Sequence, residues 1–217
     1  PGMFAVRSAN EREQLAQDWL ALTVERDIHQ FTKYKFDSDD ALEILNAIAI
    51  LENPNLANIS KKVKVPARRV QSYLKILKML FVIFEITPSK DSAGKSQFFL
   101  IDPILLGHFK ASFEKKILTW IYLEMLCQLS YKAKKSNRIS FYKTAKSSPV
   151  HLMYEEDNHI VFAKVCFEQN FDSRDLLIFD SIKKKYKDKK LKLYLFYGGR
   201  ERFNVDEIQI LPWESIV

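Results

Sequence analysis

The stretch from Leu56 to Ile101 constrains the fold of this chain most tightly. Leu56-Ala57-Asn58-Ile59-Ser60-Lys61-Lys62-Val63 reads as a short helix and Lys64-Val65 as a tight turn. Pro66 then stands where a second helix begins, a place where its missing N–H costs nothing. Val70, Tyr73, Leu74 and Leu77 form the buried stripe of that helix to about Met79, and the small Ala57 lets the two helices cross closely. Phe81–Thr87 and Gln97–Ile101 are β-rich and enclose a polar, turn-rich connection from Pro88 to Ser96. Upstream, a helix starts after Ser38, carries Asp39 and Asp40 in its first turn, and buries Leu42, Leu45, Ile48 and Ala49 until Asn53-Pro54 stops it. The order helix, helix, helix, hairpin predicts a winged helix-turn-helix over residues 41–102.

The flanking segments have a different character. Residues 9–28 read as an amphipathic helix with Leu15, Trp19, Leu22 and Ile28 along one side; Ser8 or Asn10 can cap it, and Glu11 and Glu13 suit its dipole. After Asp102-Pro103, Phe113 to about Tyr131 is a long apolar helix with Ile117, Ile121, Met125 and Leu129 at spacing four. A basic stretch, Lys132 to Arg138, leads into three strands: Ile139–Thr144, Val150–Tyr154 and His159–Phe167. Asp172 and Ser173 open a helix through about Lys187, Leu191–Tyr197 is a nearly uninterrupted apolar strand, Gly198-Gly199 turns the chain, and Ile208–Leu211 ends it as a short strand. These patterns predict an α+β or α/β protein in three parts. They are an N-terminal helical segment at 1–40, the winged helix-turn-helix at 41–102 and a small α/β domain at 103–217.

With 47% hydrophobic and 13% aromatic residues, the chain can bury a core. Its five glycines argue against glycine-rich phosphate loops. Gly94-Lys95-Ser96 resembles the end of such a loop, but it lacks the earlier glycine and no helix follows. Cys127 and Cys166 sit inside apolar runs, as free thiols do in a reducing cytoplasm, and no CxxC or His/Cys cluster suggests zinc. No long uncharged apolar run predicts a membrane span, and no signal-peptide pattern opens the chain. The expectation is a cytoplasmic protein without a cofactor in this chain. It starts at Pro1, so either Pro1-Gly2 precedes a start at Met3 or the chain continues a longer polypeptide.

The net charge of +7 is uneven: residues 1–102 carry 14 basic against 13 acidic side chains, and residues 103–217 carry 20 against 14. Nucleic acid or an anionic surface is thus an admissible partner. The helix after Pro66 exposes Arg68, Arg69, Gln71, Ser72 and Lys75 opposite its apolar stripe. Arginine and glutamine can read purine edges while lysine neutralises phosphate, and Lys90 and Lys95 between the two strands could touch the backbone. The alternative for this face is a solvated surface or a protein contact. The cluster Lys183, Lys184, Lys185, Lys187, Lys189 and Lys190 reads as a solvated helix end or as a phosphate-binding patch. No Gly-x-Ser-x-Gly elbow is present, and neither cysteine lies beside a base in sequence.

Several motifs occur together in one order. They are Pro1-Gly2, Trp19 with Val24-Glu25-Arg26-Asp27-Ile28, Val70-Gln71-Ser72-Tyr73-Leu74 with Leu77, Phe98-Phe99-Leu100-Ile101-Asp102-Pro103, and Phe113-Glu114. In that order they resemble the C-terminal region of bacterial and archaeal AAA-type ATPases, in which a winged helix and a restriction-endonuclease-like domain follow the ATPase domain. The resemblance implies a missing ATP-binding domain and a nuclease-like α/β fold for residues 103–217. Phe141-Tyr142-Lys143-Thr144 is similar to that family's "YYRT" strand, with Lys143 for arginine. Its metal-binding positions depart from pattern. The Asp falls on His151, the Glu on Lys164 and the Lys on Cys166, so that only Glu114 remains. A cation in place of a carboxylate repels Mg²⁺. The resemblance therefore implies a degenerate nuclease domain, no metal, and no catalysis by this chain.

These readings converge on a non-catalytic regulatory or sensor region of an AAA-type ATPase. Its partners would be duplex DNA or a protein, together with the ATPase domain of its own polypeptide, and not a membrane. The competing expectation is a stand-alone winged-helix transcription regulator with a C-terminal sensor domain. An active nuclease is the third; DNA cleavage in Mg²⁺ or Mn²⁺ abolished by Glu114→Ala would establish it.

Overall fold

The computed structural model describes residues 12–28, 36–131, 138–144, 149–156 and 158–216. The expected cap at Ser8 or Asn10, the dipole partner Glu11, the Pro1-Gly2 motif and Lys132 to Asn137 of the basic stretch lie outside the described residues. The chain divides into two compact units. Unit 1 comprises Pro1–Ile86 and Ser96–Trp120, and unit 2 comprises Thr87–Lys95 and Ile121–Val217.

In unit 1, helix α1 (Arg12–Leu22) runs into a π-helical turn, Thr23–Asp27. Its buried residues are Ala16, Leu20, Val24 and Ile28, while Leu15 is 39% and Leu22 54% exposed. The buried stripe is therefore offset from the expected Leu15, Trp19 and Leu22. A spacing of four overshoots an α turn of 3.6 residues, and the wider π turn absorbs the drift. Helix α2 (Ser38–Ile50) is capped by Asp37, whose carboxylate accepts from the Asp39 and Asp40 amides. Asn55 caps α3 (Leu56–Val63), and Lys64, at φ 57°, ends it in the left-handed region. Helix α4 (Ala67–Met79) follows directly after Pro66 and buries Val70, Tyr73, Leu74, Ile76 and Leu77. The Tyr73 hydroxyl accepts from the Asp37 amide at 2.9 Å, which ties α4 to the cap of α2. Strands β1 (Ile83–Pro88) and β2 (Gln97–Leu100) pair antiparallel from Ile83–Leu100 to Ile86–Gln97. Asp102 caps the short α5 (Pro103–His108). Helix α6 (Phe113–Tyr131) contributes its first residues to unit 1 and the rest to unit 2.

Unit 2 is built on β3 (Ser140–Tyr142), β4 (Val150–Glu156) and β5 (His159–Val165), an antiparallel meander. From β5 the chain crosses through α7 (Leu177–Lys185) to β6 (Lys190–Tyr197), which lies parallel to β5. Strand β7 (Phe203–Val205) hairpins into β8 (Ile208–Pro212), and β8 lies parallel to β6. Helix α7 buries Ile178, Phe179 and Ile182 in one cluster with Phe162, Leu193, Leu195 and Ile210. Two near-continuous apolar strands under a crossover helix are the expected form of a buried parallel pair.

The fold class corrects the sequence expectation. The end of β1 does not stop as the stem of a free wing: Thr87 and Pro88 pair in parallel with Ser140 and Phe141 of β3. The strands therefore run β2-β1-β3-β4-β5-β6-β8-β7 in an eight-stranded mixed sheet. The protein is mixed α/β on that sheet, rather than a winged helix-turn-helix followed by a restriction-endonuclease-like domain. The loop after β1 is held by backbone bonds within unit 2: Ser89 N–H to Phe141 O at 2.9 Å and Ala93 N–H to Lys143 O at 2.8 Å. The Lys143 N–H donates in turn to Ser92 Oγ at 2.8 Å. A polar composition reads as a loose loop, but its amides need partners, and here β3 supplies them. The expected boundary at 102/103 falls inside unit 1, and residues 87–95 of the expected 41–102 segment belong to unit 2.

Candidate functional site

The exposed side of α3 and α4 presents Lys61, Lys62, Lys64, Arg68, Gln71, Ser72 and Lys75 to solvent. The lysines and Arg68 make no ion pair among the described residues, whereas Arg69 is committed. Its guanidinium meets Asp40 at 2.7 Å and lies 5.9 Å from the Tyr73 ring centroid. Arg69 thus braces α4 against α2, and its neighbour Arg68 is the free fork. Ser72 Oγ donates to the Arg68 carbonyl at 3.2 Å, which turns that hydroxyl inward along its own helix. Lys90 and Lys95 are exposed, but they belong to unit 2 while this face belongs to unit 1.

The basic run of unit 2 is partly spent on structure. Lys183 pairs with Glu207 at 3.2 Å. Lys185 donates to the Asp91 carbonyl at 3.0 Å and lies 5.2 Å from the Tyr142 ring centroid. Lys184, Lys187, Lys189 and Lys190 are exposed and outside any ion pair among the described residues. A groove of about 370 Å³ runs past Lys183, Lys187, Lys189 and Glu207, with Leu191 and Leu193 at its floor.

Of the positions that the sequence resemblance sets against a nuclease's metal ligands, unit 2 brings together His151, Lys164 and Cys166, all buried, at the start of β4 and at and just after the end of β5. His151 Nδ1 accepts the Val165 amide at 3.0 Å, so the neutral ring carries its proton on Nε2. Burial, with a smaller contribution from the Lys164 charge, pulls its pKa down to about 3. Lys164 Nζ donates to Asp175 Oδ1 at 2.8 Å and to the Asp175 carbonyl at 3.1 Å, so its charge is fully engaged. Burial pushes the Cys166 thiol up, away from the reactive thiolate. Lys143 is held through its backbone rather than its amine. Glu114 lies in unit 1, exposed at the start of α6, and a hydrogen bond from Ser112 holds its carboxyl below the usual range. Among the described residues, no group of three or more His, Cys, Asp or Glu side chains could hold a metal ion. The donor set does not fit Mg²⁺: the carboxylate nearest this cluster, Asp175, is already neutralised by Lys164.

Sequence reading missed two features. Lys115 is 7% exposed in unit 1, donates to the Leu51 carbonyl at 3.3 Å and lies 4.3 Å from the Phe99 ring centroid. Burial lowers its pKa to about 7. The second is a cavity of about 630 Å³ at the carboxyl ends of β5 and β6, where Phe171, Tyr197, Phe203, Arg200 and Glu201 line the wall. The signal for it was the Gly198-Gly199 pair after the apolar strand, read only as a turn.

Among the described residues, no helix is long and apolar enough to cross a membrane. No curated protein matches the chain. Among solved structures, human N-acetylserotonin methyltransferase in complex with SAM is similar at 10% identity and a TM-score of 0.26. That match covers 94% of this chain and 66% of the enzyme's, so the chain spans less than two thirds of it. At that score no statement about fold or chemistry follows. Residues 1–110 match a family described as a domain of unknown function, DUF8612, and this span, half the chain, shows that the chain belongs to that family.

Proposed function

We propose that the chain is a non-catalytic, cytoplasmic nucleic-acid-binding region whose α3–α4 face engages duplex DNA, in the service of an AAA-type ATPase. The observation that carries the binding reading is the set of exposed, unpaired cations at Lys61, Lys62, Lys64, Arg68 and Lys75 around Gln71. Cations left out of ion pairs can release counterions from phosphates without breaking the fold. The ATPase connection is supported by the order of sequence motifs from Trp19 to Glu114. The non-catalytic reading is supported by Lys164, which stands where the sequence resemblance calls for a metal-binding glutamate and is paired with Asp175.

Fluorescence anisotropy with mixed-sequence duplex DNA over a salt series tests the binding reading. Affinity should fall steeply with salt, and Arg68→Ala and Lys75→Ala should each reduce the log–log slope by about one. Binding that ignores both salt and these substitutions would overturn it. Arg69→Ala is the poorer probe, because it also removes the brace to Asp40.

A further inference from the structure

Three aromatic rings, Phe171, Tyr197 and Phe203, line the cavity in unit 2. It lies beyond the carboxyl ends of the adjacent parallel strands β5 and β6, lined by residues of the segments that follow them. Phe171, Tyr197 and Phe203 form a ring cluster, with centroids 5.9 Å apart for Phe171–Tyr197 and Phe171–Phe203 and 6.3 Å for Tyr197–Phe203. Phe203 keeps 39% of its surface exposed, which leaves part of the ring open to a stacking partner.

The rim is rigid. The Tyr197 hydroxyl donates to the Glu201 carbonyl at 2.9 Å and accepts the Glu201 amide at 3.2 Å, closing the Gly198–Arg200 turn. The Gly198 amide donates to the Glu168 carbonyl at 2.9 Å, and Trp213 Nε1 donates to the Cys166 carbonyl at 3.0 Å. Any Cβ at Gly199 would overlap the Tyr197 ring, so the close approach of backbone to ring that shapes the cavity requires glycine there.

Charge selects among flat ligands. Arg200 and Glu201 are both exposed, and neither makes an ion pair among the described residues. One cation beside one carboxylate is a poor seat for phosphate, but it is a matched donor and acceptor pair for a polar edge. Guanine offers that edge. An arginine fork donates to O6 and N7, and a carboxylate accepts from N1–H and the N2 amine. Adenine carries an acceptor at N1, where the carboxylate would repel it. The exposed amides of Gln169 and Asn170, also in the wall, can donate or accept.

We infer that this cavity binds a nucleobase, guanine by preference, stacked on the Phe171–Phe203 pair with its edge toward Arg200 and Glu201. The base comes either from a free nucleoside or from an unpaired position in a strand. Isothermal titration of the whole chain with guanosine, adenosine, cytidine and uridine tests the site, with Trp213 fluorescence as a second readout. Guanosine should bind about tenfold more tightly than the others, and Phe203→Ala should weaken it about tenfold. Glu201→Gln should abolish the preference for guanosine. A thymine strand carrying one guanine, compared with its fully paired duplex, separates the sources. Phe203-dependent binding of the single strand without binding of guanosine assigns the base to a strand, and binding of both admits the free nucleoside. The inference is overturned if no nucleoside and no strand binds in a Phe203-dependent way. Duplex binding weakened in Arg68→Ala but unchanged in Phe203→Ala belongs to the α3–α4 face alone, so the two readings fail separately.

Discussion

Replacing Lys115 by methionine should stabilise the protein at neutral and acidic pH and lose that advantage in base. Lys115 is 7% exposed, and its amine donates to Leu51 O at 3.3 Å and lies 4.3 Å from the Phe99 ring centroid. With no ion pair to a carboxylate among the described residues, burial lowers the pKa from 10.5 to about 7. The unfolded chain therefore holds this proton between about pH 7 and 10.5, where the folded chain has released it, so wild-type stability rises with pH through that window. Below pH 7 both states are protonated and the penalty stays at its full value. At about 1.4 kcal/mol per pKa unit, the desolvation penalty is roughly 4–5 kcal/mol. The contact with Phe99 and the hydrogen bond to Leu51 O return part of it, leaving a net gain of about 2 kcal/mol for Lys115→Met. Methionine keeps the unbranched stem and its packing on Phe99. Urea unfolding at pH 6.5, 8 and 9.5, followed by the fluorescence of Trp19 and Trp120 in unit 1, measures the difference. The variant should be more stable at pH 6.5, and the gap should narrow steadily toward pH 9.5. A variant that is less stable than wild type by the same amount at all three pH values would refute the reasoning, because the amine would then be a net stabilising group whatever its charge.

Three further outcomes follow from single contacts. His151 takes its proton near pH 6.5 when unfolded but only at about 3 when folded, so its contribution is complete above pH 6.5 and is lost as pH falls toward 3. The loss should reach about 3 kcal/mol at pH 4. His151→Phe should flatten that acid dependence while lowering stability at pH 7, since the Val165 amide loses its acceptor. Gly199→Ala should cost about 1–3 kcal/mol and lower the melting temperature, because Tyr197 is buried and its hydroxyl is pinned twice by Glu201. Tyr73→Phe should cost about 1–2 kcal/mol in urea unfolding, since the amide of Asp37, the residue whose carboxylate caps α2, loses its acceptor.

Local rules carried the helices. Apolar stripes and capping residues place α2, α3 and α4 within a few positions, because a helix closes its hydrogen bonds within four residues and its buried face repeats every turn. The apolar runs likewise mark β5, β6 and β8. The three-residue β7 went unseen, since Phe203-Asn204-Val205 is too short to show a period. The cations of α4 were legible as a face, but not the division of labour on it: Arg69 differs from Arg68 only through Asp40, which lies on another helix.

The chain's own order of residues determined which segments coil and extend and, for most of them, which side is apolar. Only the tertiary structure decided that the hairpin is not a wing. Thr87 and Pro88 find β3 more than fifty residues later, and no local pattern specifies a partner at that distance. The same holds for the buried amine of Lys115 and for the aromatic cavity, whose walls come from the loop after β5, the end of β6, the loop after it and the first residue of β7. Burial and strand pairing are properties of which surfaces meet; a sequence states what each surface is made of and leaves the meeting to the fold.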